Sequence, residues 1–459
     1  MIRSGKTITI ARSLAALLAG VFFGSSLCYG WGSGHGKITQ AALDSLPEWQ
    51  RARWRESEAG FQKYCVYVDM GPDNAEAKPY LIVVNKRLFH YFPRDNREDY
   101  QVFMEGAERY VRLIVDKLRE GEDAEAAKFA GAFAHVLEDL SQPQCHALEA
   151  INGMPWTVLD ELFTPQDQSW NRAPQSIISL DSDPRFVVRL DGYRPQLLGM
   201  HPKEVAFRLY VRCCRLRQLA RKALPATLTR VYAGDVGGAV EAMTPPAVED
   251  AKLVADMFST CFALAAGRFE PEDVKALETM DLTDVVPMAA PALINFPYRF
   301  SPLAYGCSVN MKREPVPLQL WLQDADEPRR EVVLPKGIGT GCCRFSYEIP
   351  AGVFQEFRCT AGLHSQLGLH PSGAKLRLTV RFGGKNAFES GVLEAGSPAQ
   401  KIVIPVAAGG TLEFVSEGHP GQTGNEANHA VWAEPILIRR DRVASPASPS
   451  VQPPFAKTP

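Results

Sequence analysis

The sequence has no surplus of positive charge. Its 50 lysines and arginines stand against 52 aspartates and glutamates, a formal charge of −2 over 459 residues. That balance excludes a basic nucleic-acid coat, and a protein of this composition that handles phosphate must find its positive charge elsewhere. Long apolar runs are missing too: none reaches the ~18 residues that a membrane-crossing helix needs. Cysteine is sparse, at ten, which excludes a disulfide-framework domain, and no internal repeat is found. What remains is average for a globular chain, 46% hydrophobic and 22% charged, and the length predicts two or three domains with cores of their own.

Residues 1–30 carry Arg3, Lys6 and Arg12, then an apolar run from Leu14 to Phe23, then Cys28-Tyr29-Gly30 with small residues at the −3 and −1 positions. This pattern predicts a signal peptide cut after Gly30, and hence a secreted or periplasmic protein. A lipid anchor on Cys28 is the rival reading, disfavoured by the bulk of Leu27. The cut removes three positive charges and takes −2 to −5. Nine cysteines remain, and most read as small buried apolar residues.

From Trp31 to about Phe269 apolar residues recur three and four apart, as in Phe129, Phe133, Val136, Leu137 and Leu140, which predicts an all-α helix bundle over 31–269. From about Asn295 the period becomes two, as in Leu376-Arg377-Leu378-Thr379-Val380-Arg381-Phe382, which predicts an antiparallel β-sandwich over 295–440. The proline-bearing stretch 270–294 reads as a linker. The Pro-, Ser- and Ala-rich 441–459 reads as a disordered tail.

His135 and Asp139 lie four apart near a helix end set by Pro143, so both face one side, as two ligands of one metal would. Alone, such a pair is more often a surface pair or a buried hydrogen bond. Around it stand His146, His90 in Phe89-His90-Tyr91-Phe92-Pro93-Arg94-Asp95-Asn96, Asp69 in Tyr67-Val68-Asp69-Met70, and His35 close after Trp31. Imidazole with carboxylate is a donor set that suits zinc.

On Trp31-Gly32-Ser33-Gly34-His35, the His90 motif, and His135-x-x-x-Asp139 with Gln142-Pro143 and His146, the chain resembles the secreted zinc-dependent phospholipase C and single-strand-specific nuclease superfamily over roughly residues 31–220. The resemblance implies that signal cleavage frees the Trp31 amine as a zinc ligand, together with its carbonyl oxygen. It implies that Asp139 bridges two zincs, with His135, His90 and Asp69 around one and Trp31 and His35 around the other. It extends the metal ligands to His146 and Asp160, and it gives Asp69 a catalytic role in taking a proton from the attacking water. Two metals about 3.5–4 Å apart suit hydrolysis of a phosphodiester.

The chain departs from that pattern at a third zinc. Trp156 stands where a histidine is expected four residues before Asp160, and Gln142-Pro143-Gln144-Cys145-His146 holds one extra residue. His201 with Glu204, or a Cys145 thiolate, are alternative ligands, although a buried or bonded cysteine is the simpler reading. Asp73 is a rival to Asp69, and it reads better as a turn residue after Pro72.

In the β half, Pro335-Lys336-Gly337-Ile338-Gly339-Thr340-Gly341, Phe345-Ser346-Tyr347-Glu348-Ile349-Pro350-Ala351-Gly352, Phe388-Glu389-Ser390-Gly391-Val392-Leu393 and Asn428-His429-Ala430-Val431-Trp432-Ala433-Glu434-Pro435 resemble, in that order, the NPCBM type of carbohydrate-binding module, a galactose-binding-like sandwich. Trp432 reads as core sooner than as a sugar platform. The expected function is an exported zinc-dependent phosphoric diester hydrolase of the phospholipase C type, held near a glycan by its C-terminal module. The alternatives are a single-strand nuclease and a glycan-binding protein whose helical half has lost turnover.

Overall fold

The computed structural model describes residues 31–71, 73–90, 97–143, 180–288, 292–293, 303–323, 327–422 and 424–440. The expected leader, the Tyr91–Asn96 part of the His90 motif, Cys145, His146, Trp156, Asp160 and the tail 441–459 lie outside the described residues.

Eight helices are described: α1 (Gly34–Asp44), α2 (Glu48–Trp54), α3 (Glu58–Tyr67), α4 (Arg97–Glu120), α5 (Asp123–Glu138), α6 (Pro202–Tyr232), α7 (Val236–Ala266) and α8 (Pro271–Ala276). In α4 the residues Phe103, Ala107, Tyr110, Val111, Ile114 and Leu118 are fully buried. Their spacing of three and four makes one apolar stripe, and burying that stripe fixes the helix in the bundle. α5 sits in the middle: its buried face runs from Ala126 through Phe133 to Glu138. Its α-helical hydrogen bonding ends at Glu138, and Asp139–Ser141 tighten into a 3-10 turn, as Pro143 dictates. α7 begins well before its two prolines. Asp235 caps it by accepting from Gly238 N at 2.9 Å, and the helix runs on through Pro245 and Pro246.

Two glycines permit the close approaches that shape the site. A Cβ on Gly131 would lie 2.9 Å from the Phe61 carbonyl oxygen, so α3 can press against α5 only because the side chain is missing. A Cβ on Gly106 would overlap the ring of Phe89, the residue before His90.

The C-terminal half is an antiparallel β-sandwich. One sheet runs Gln400–Pro405, Phe354–Leu363, Ala430–Arg439, Gly337–Thr340, Leu303–Tyr305, and the other runs Lys385–Leu393, Leu376–Phe382, Gly410–Gly418, Cys343–Ile349, Ala292–Leu293. Leu376, Leu378 and Val380 alternate into the space between them. Phe345 and Phe414, directly paired across strands, stack at 4.9 Å. Trp432 is fully buried edge-on to Phe414 at 5.0 Å, so it is core and offers no sugar platform.

The expected linker is built into this half. Thr279–Asp281 pairs with Ile436–Ile438 of the last long strand, and Ala292–Leu293 pairs with Cys343–Arg344. α6 joins the halves: Phe207 meets Phe354 at 5.6 Å, Arg208 donates to the Leu277 carbonyl at 2.7 Å, and Arg439 pairs with the buried Glu204 at 3.1 Å. Of the cysteines, Cys65, Cys213, Cys214, Cys261, Cys342, Cys343 and Cys359 are buried.

Gly131→Ala sets two effects against each other. Helix propensity favours alanine by about 1 kcal/mol, whereas overpacking against a backbone oxygen costs about 1–3 kcal/mol. Because the obstacle is backbone, urea unfolding should show a net loss of stability; a neutral or stabilised variant would mean that α3 and α5 are not pressed together there.

Candidate metal centre

The centre forms where α1, the turn after α3, the segment leading to His90, and the end of α5 converge. α5 delivers His135 and Asp139 one turn apart, both fully buried. The 3-10 turn Val68–Met70 delivers Asp69, and α1 delivers His35 one residue into its first turn. His90 follows the short hairpin of Val83–Val84 with Arg87–Leu88.

Four donors gather on one side. His90 Nε2 lies 2.9 Å from His135 Nε2, 3.0 Å from Asp139 Oδ2 and 3.6 Å from Asp69 Oδ1. His135 Nε2 lies 3.4 Å from Asp69 Oδ1 and 3.5 Å from Asp139 Oδ2. Ligands held tetrahedrally at about 2.0–2.1 Å from one zinc would stand about 3.3–3.4 Å from one another, so these separations suit a single cation. On the other side Asp139 Oδ1 faces His35 Nε2 at 3.5 Å. The two oxygens of Asp139 thus look toward different donors, Oδ1 toward His35 and Oδ2 toward His90 and His135; the groups whose donors converge closely enough to close on an ion are His35 with His135 and Asp139, and Asp69 with His90 and His135.

Whether the residues fit a cation is decided by what they lack. Both oxygens of Asp139 and Nε2 of His35 are buried without a hydrogen-bond partner, although His90 comes to 3.0 Å of Oδ2. A buried carboxylate left this way is costly, and a shared cation removes the cost. Burial would raise the Asp139 carboxyl, but His135, His90 and His35 together hold it below its usual range. Burial pushes the His35 imidazole down against the pull of Asp139 and Asp69, toward the neutral form that binds metals. His135 is raised, burial being outweighed by Asp139 and Asp69.

The other nitrogen of each buried histidine is engaged. His135 Nδ1 lies 2.7 Å from the Cys65 carbonyl, and His35 Nδ1 lies 2.7 Å from Glu138 Oε2. Both rings therefore offer Nε2, and they stack 4.2 Å apart. Trp31 is buried, stacked on Phe186 at 5.0 Å, and its indole donates to the Glu138 carbonyl at 3.0 Å and to Ser141 Oγ at 2.9 Å. Asp181 clasps the segment that follows, accepting from Gly34 N at 2.6 Å, while its carbonyl accepts from Lys37 at 2.7 Å.

Of the expected residues, His35, Asp69, His90, His135 and Asp139 come together and Trp31 packs its indole against the turn that carries Asp139, while His146 and Asp160 lie outside the described residues. Asp73 is an exposed turn residue. His201 and Glu204 serve elsewhere: His201 Nδ1 caps α6 by accepting from Glu204 N at 3.3 Å, and Glu204 is held by Met200 N, Arg208 and Arg439. Sequence reasoning missed Glu138, Thr39, Asp181 and Asp250. A charge between Leu137 and Leu140 on an apolar helix was the one signal available for Glu138.

Residues 329–438 match the NPCBM/NEW2 domain family, so the chain carries such a domain at its C-terminal end. No curated protein sequence matches. Among solved structures, the CBM51 of a Clostridium perfringens GH95 in complex with methyl-galactose aligns at 15% identity over 35% of this chain and 99% of that one, with TM-score 0.29. The CBM51-2 and INT domains of Clostridium perfringens ZmpB, in complex with GlcNAc, align at 17% identity over 35% of this chain and TM-score 0.29, and the chain spans only 31% of that structure's length. Alpha toxin from Clostridium absonum aligns at 11% identity over 91% of this chain and 96% of its own, with TM-score 0.33. None of the three decides fold or chemistry.

Asp250 on α7 is fully buried with both oxygens unpaired. Ser141 is near, but its hydroxyl donates to the Glu138 carbonyl at 2.9 Å. Burial, with Glu138 adding to it, raises the Asp250 carboxyl well above its usual value. Raised above the unfolded value, the group contributes stability below about pH 4 that is lost as pH climbs. Between pH 5 and pH 8, unfolding in urea should therefore show the wild type losing at least about 1 kcal/mol more than Asp250→Asn. Equal losses would mean that the carboxyl has a partner.

Proposed function

We propose that the chain is an exported zinc-dependent phosphodiester hydrolase of the phospholipase C type, carried to glycan-bearing surfaces by its C-terminal module. The observation that supports it most is Asp139, whose two unpaired, fully buried oxygens face separate histidine sets. In this reading Asp69, His90, His135 and Asp139 hold one zinc, and His35, Asp139 and the freed amine and carbonyl of Trp31 hold the other. Bound there, zinc would polarise a phosphate oxygen and lower the pKa of water toward neutrality.

The chain's own residues supply the rest. Asp69 and His90 are about one-sixth exposed, whereas His35, His135 and Asp139 are sealed from solvent. Substrate therefore approaches along the Asp69–His90 edge, and Asp69 is the carboxylate placed to take a proton from water there. Asp139 stays ionised under the influence of its histidines, so it remains available to bridge. The burial of Trp31 anchors the new amino terminus against Glu138 and Ser141, which favours signal cleavage as a step in assembling the centre. The NPCBM/NEW2 match supports a glycan ligand for residues 329–438. Among the described residues no helix is long and apolar enough to cross a membrane, and the proposed export rests on the leader.

The test uses the chain beginning at Trp31 and a second form that keeps Gly30. The first should hydrolyse a phosphocholine ester in preference to single-stranded DNA and stop with a chelator; the second should hold less zinc and turn over more slowly. Faster cleavage of DNA would make it a nuclease of the same chemistry. Hydrolysis of neither substrate would sink the enzymatic reading.

A further inference from the structure

We propose that Glu138 is a positioning residue for this centre: it grips His35 through Nδ1, so that Nε2 alone is presented beside Asp139. The inference rests on the metal reading above and adds to it a residue that does not touch the ion. Glu138 is fully buried next in sequence to Asp139, yet it belongs to neither group of converging donors. Its oxygens are spent on α1. Oε2 meets His35 Nδ1 at 2.7 Å, and Oε1 accepts from the Thr39 hydroxyl at 2.6 Å.

His35 and Thr39 are one helical turn apart, so one carboxylate pins one face of α1 to the end of α5. The Thr39 hydroxyl hydrogen fixes the carboxylate's rotation, and the carboxylate then fixes the imidazole ring and its tautomer. With Nδ1 carrying the proton toward Oε2, the Nε2 lone pair is free and points at Asp139 Oδ1, 3.5 Å away. His135 is oriented in the same sense by a main-chain oxygen, that of Cys65. The two buried histidines thus receive their direction from different sources, and only that of His35 can be removed by changing a side chain. A carboxylate that orients a metal-binding histidine typically changes affinity by about 10–100-fold when lost.

The experiment measures zinc affinity by competition with a chromophoric chelator on the chain beginning at Trp31, with the visible spectrum of the cobalt(II) form as a second readout. Glu138→Leu should weaken one of two sites by about 10–100-fold, leave the other nearly unchanged, and alter the cobalt bands of the weakened site. Glu138→Gln should recover most of the loss, because its amide oxygen still accepts from Nδ1 and its amide group can donate to Thr39. If Glu138→Leu does not fold, Thr39→Val replaces it and should weaken the same site to a smaller degree. The proposal is overturned if Glu138→Leu, or Thr39→Val in its place, binds both zincs as tightly as the wild type, if both sites weaken equally, or if glutamine fares no better than leucine. A wild-type chain that binds no zinc would overturn the metal reading itself, a result distinct from any of these.

Discussion

A carboxylate sealed from water, with imidazole nitrogens facing both of its oxygens, is the constraint around which the helical half is arranged. Asp139 is that group. An ionised group so placed is tolerated where a positive charge balances it. Three histidines approach it, yet two of them already engage Nδ1 elsewhere. What those rings direct at Asp139 is a nitrogen lone pair as readily as a proton, and two acceptors facing each other call for a cation between them.

The surrounding architecture serves that geometry at long range in sequence. Gly131 lets α3 come close enough for the Cys65 carbonyl to reach His135. Gly106 makes room for the Phe89 ring, and so sets where His90 emerges. Trp31 hydrogen-bonds to the turn that carries Asp139, while Asp181, from a different part of the chain, holds the start of α1. Among the described residues the sandwich contributes no donor to the centre. It is fastened to α6 through Phe207, Arg208 and Glu204, so the two halves share a core. The chain's slight negative charge is then no obstacle to phosphate chemistry, because the positive charge that a phosphate needs would come from the ions.

The two fold classes were legible because periodicity reports burial: three-and-four spacing in α4 and α5, alternation in Leu376–Phe382. The extents of α6 and α7 were not, since tertiary packing carries helix through Pro225, Pro245 and Pro246 where local rules predict a stop. Strand pairing by 279–281 was hidden for a related reason. Three residues are too few for alternation to show, and their partner lies about 155 residues later. At the site, His35, Asp69, His90, His135 and Asp139 could be named because donor type and motif spacing survive in one dimension. Glu138, Thr39 and Asp250 could not, because what distinguishes them is a partner, or the lack of one, on another helix.

Crystals of the chain beginning at Trp31, grown with zinc and examined by anomalous diffraction at the zinc edge, would show whether Asp139 is shared between two ions. Two peaks about 3.5–4 Å apart are expected, one among Asp69, His90 and His135, the other beside His35 and the Trp31 amine, with an oxygen of Asp139 on each. A single peak, or two peaks that do not share Asp139, would contradict the bridging role of that carboxylate.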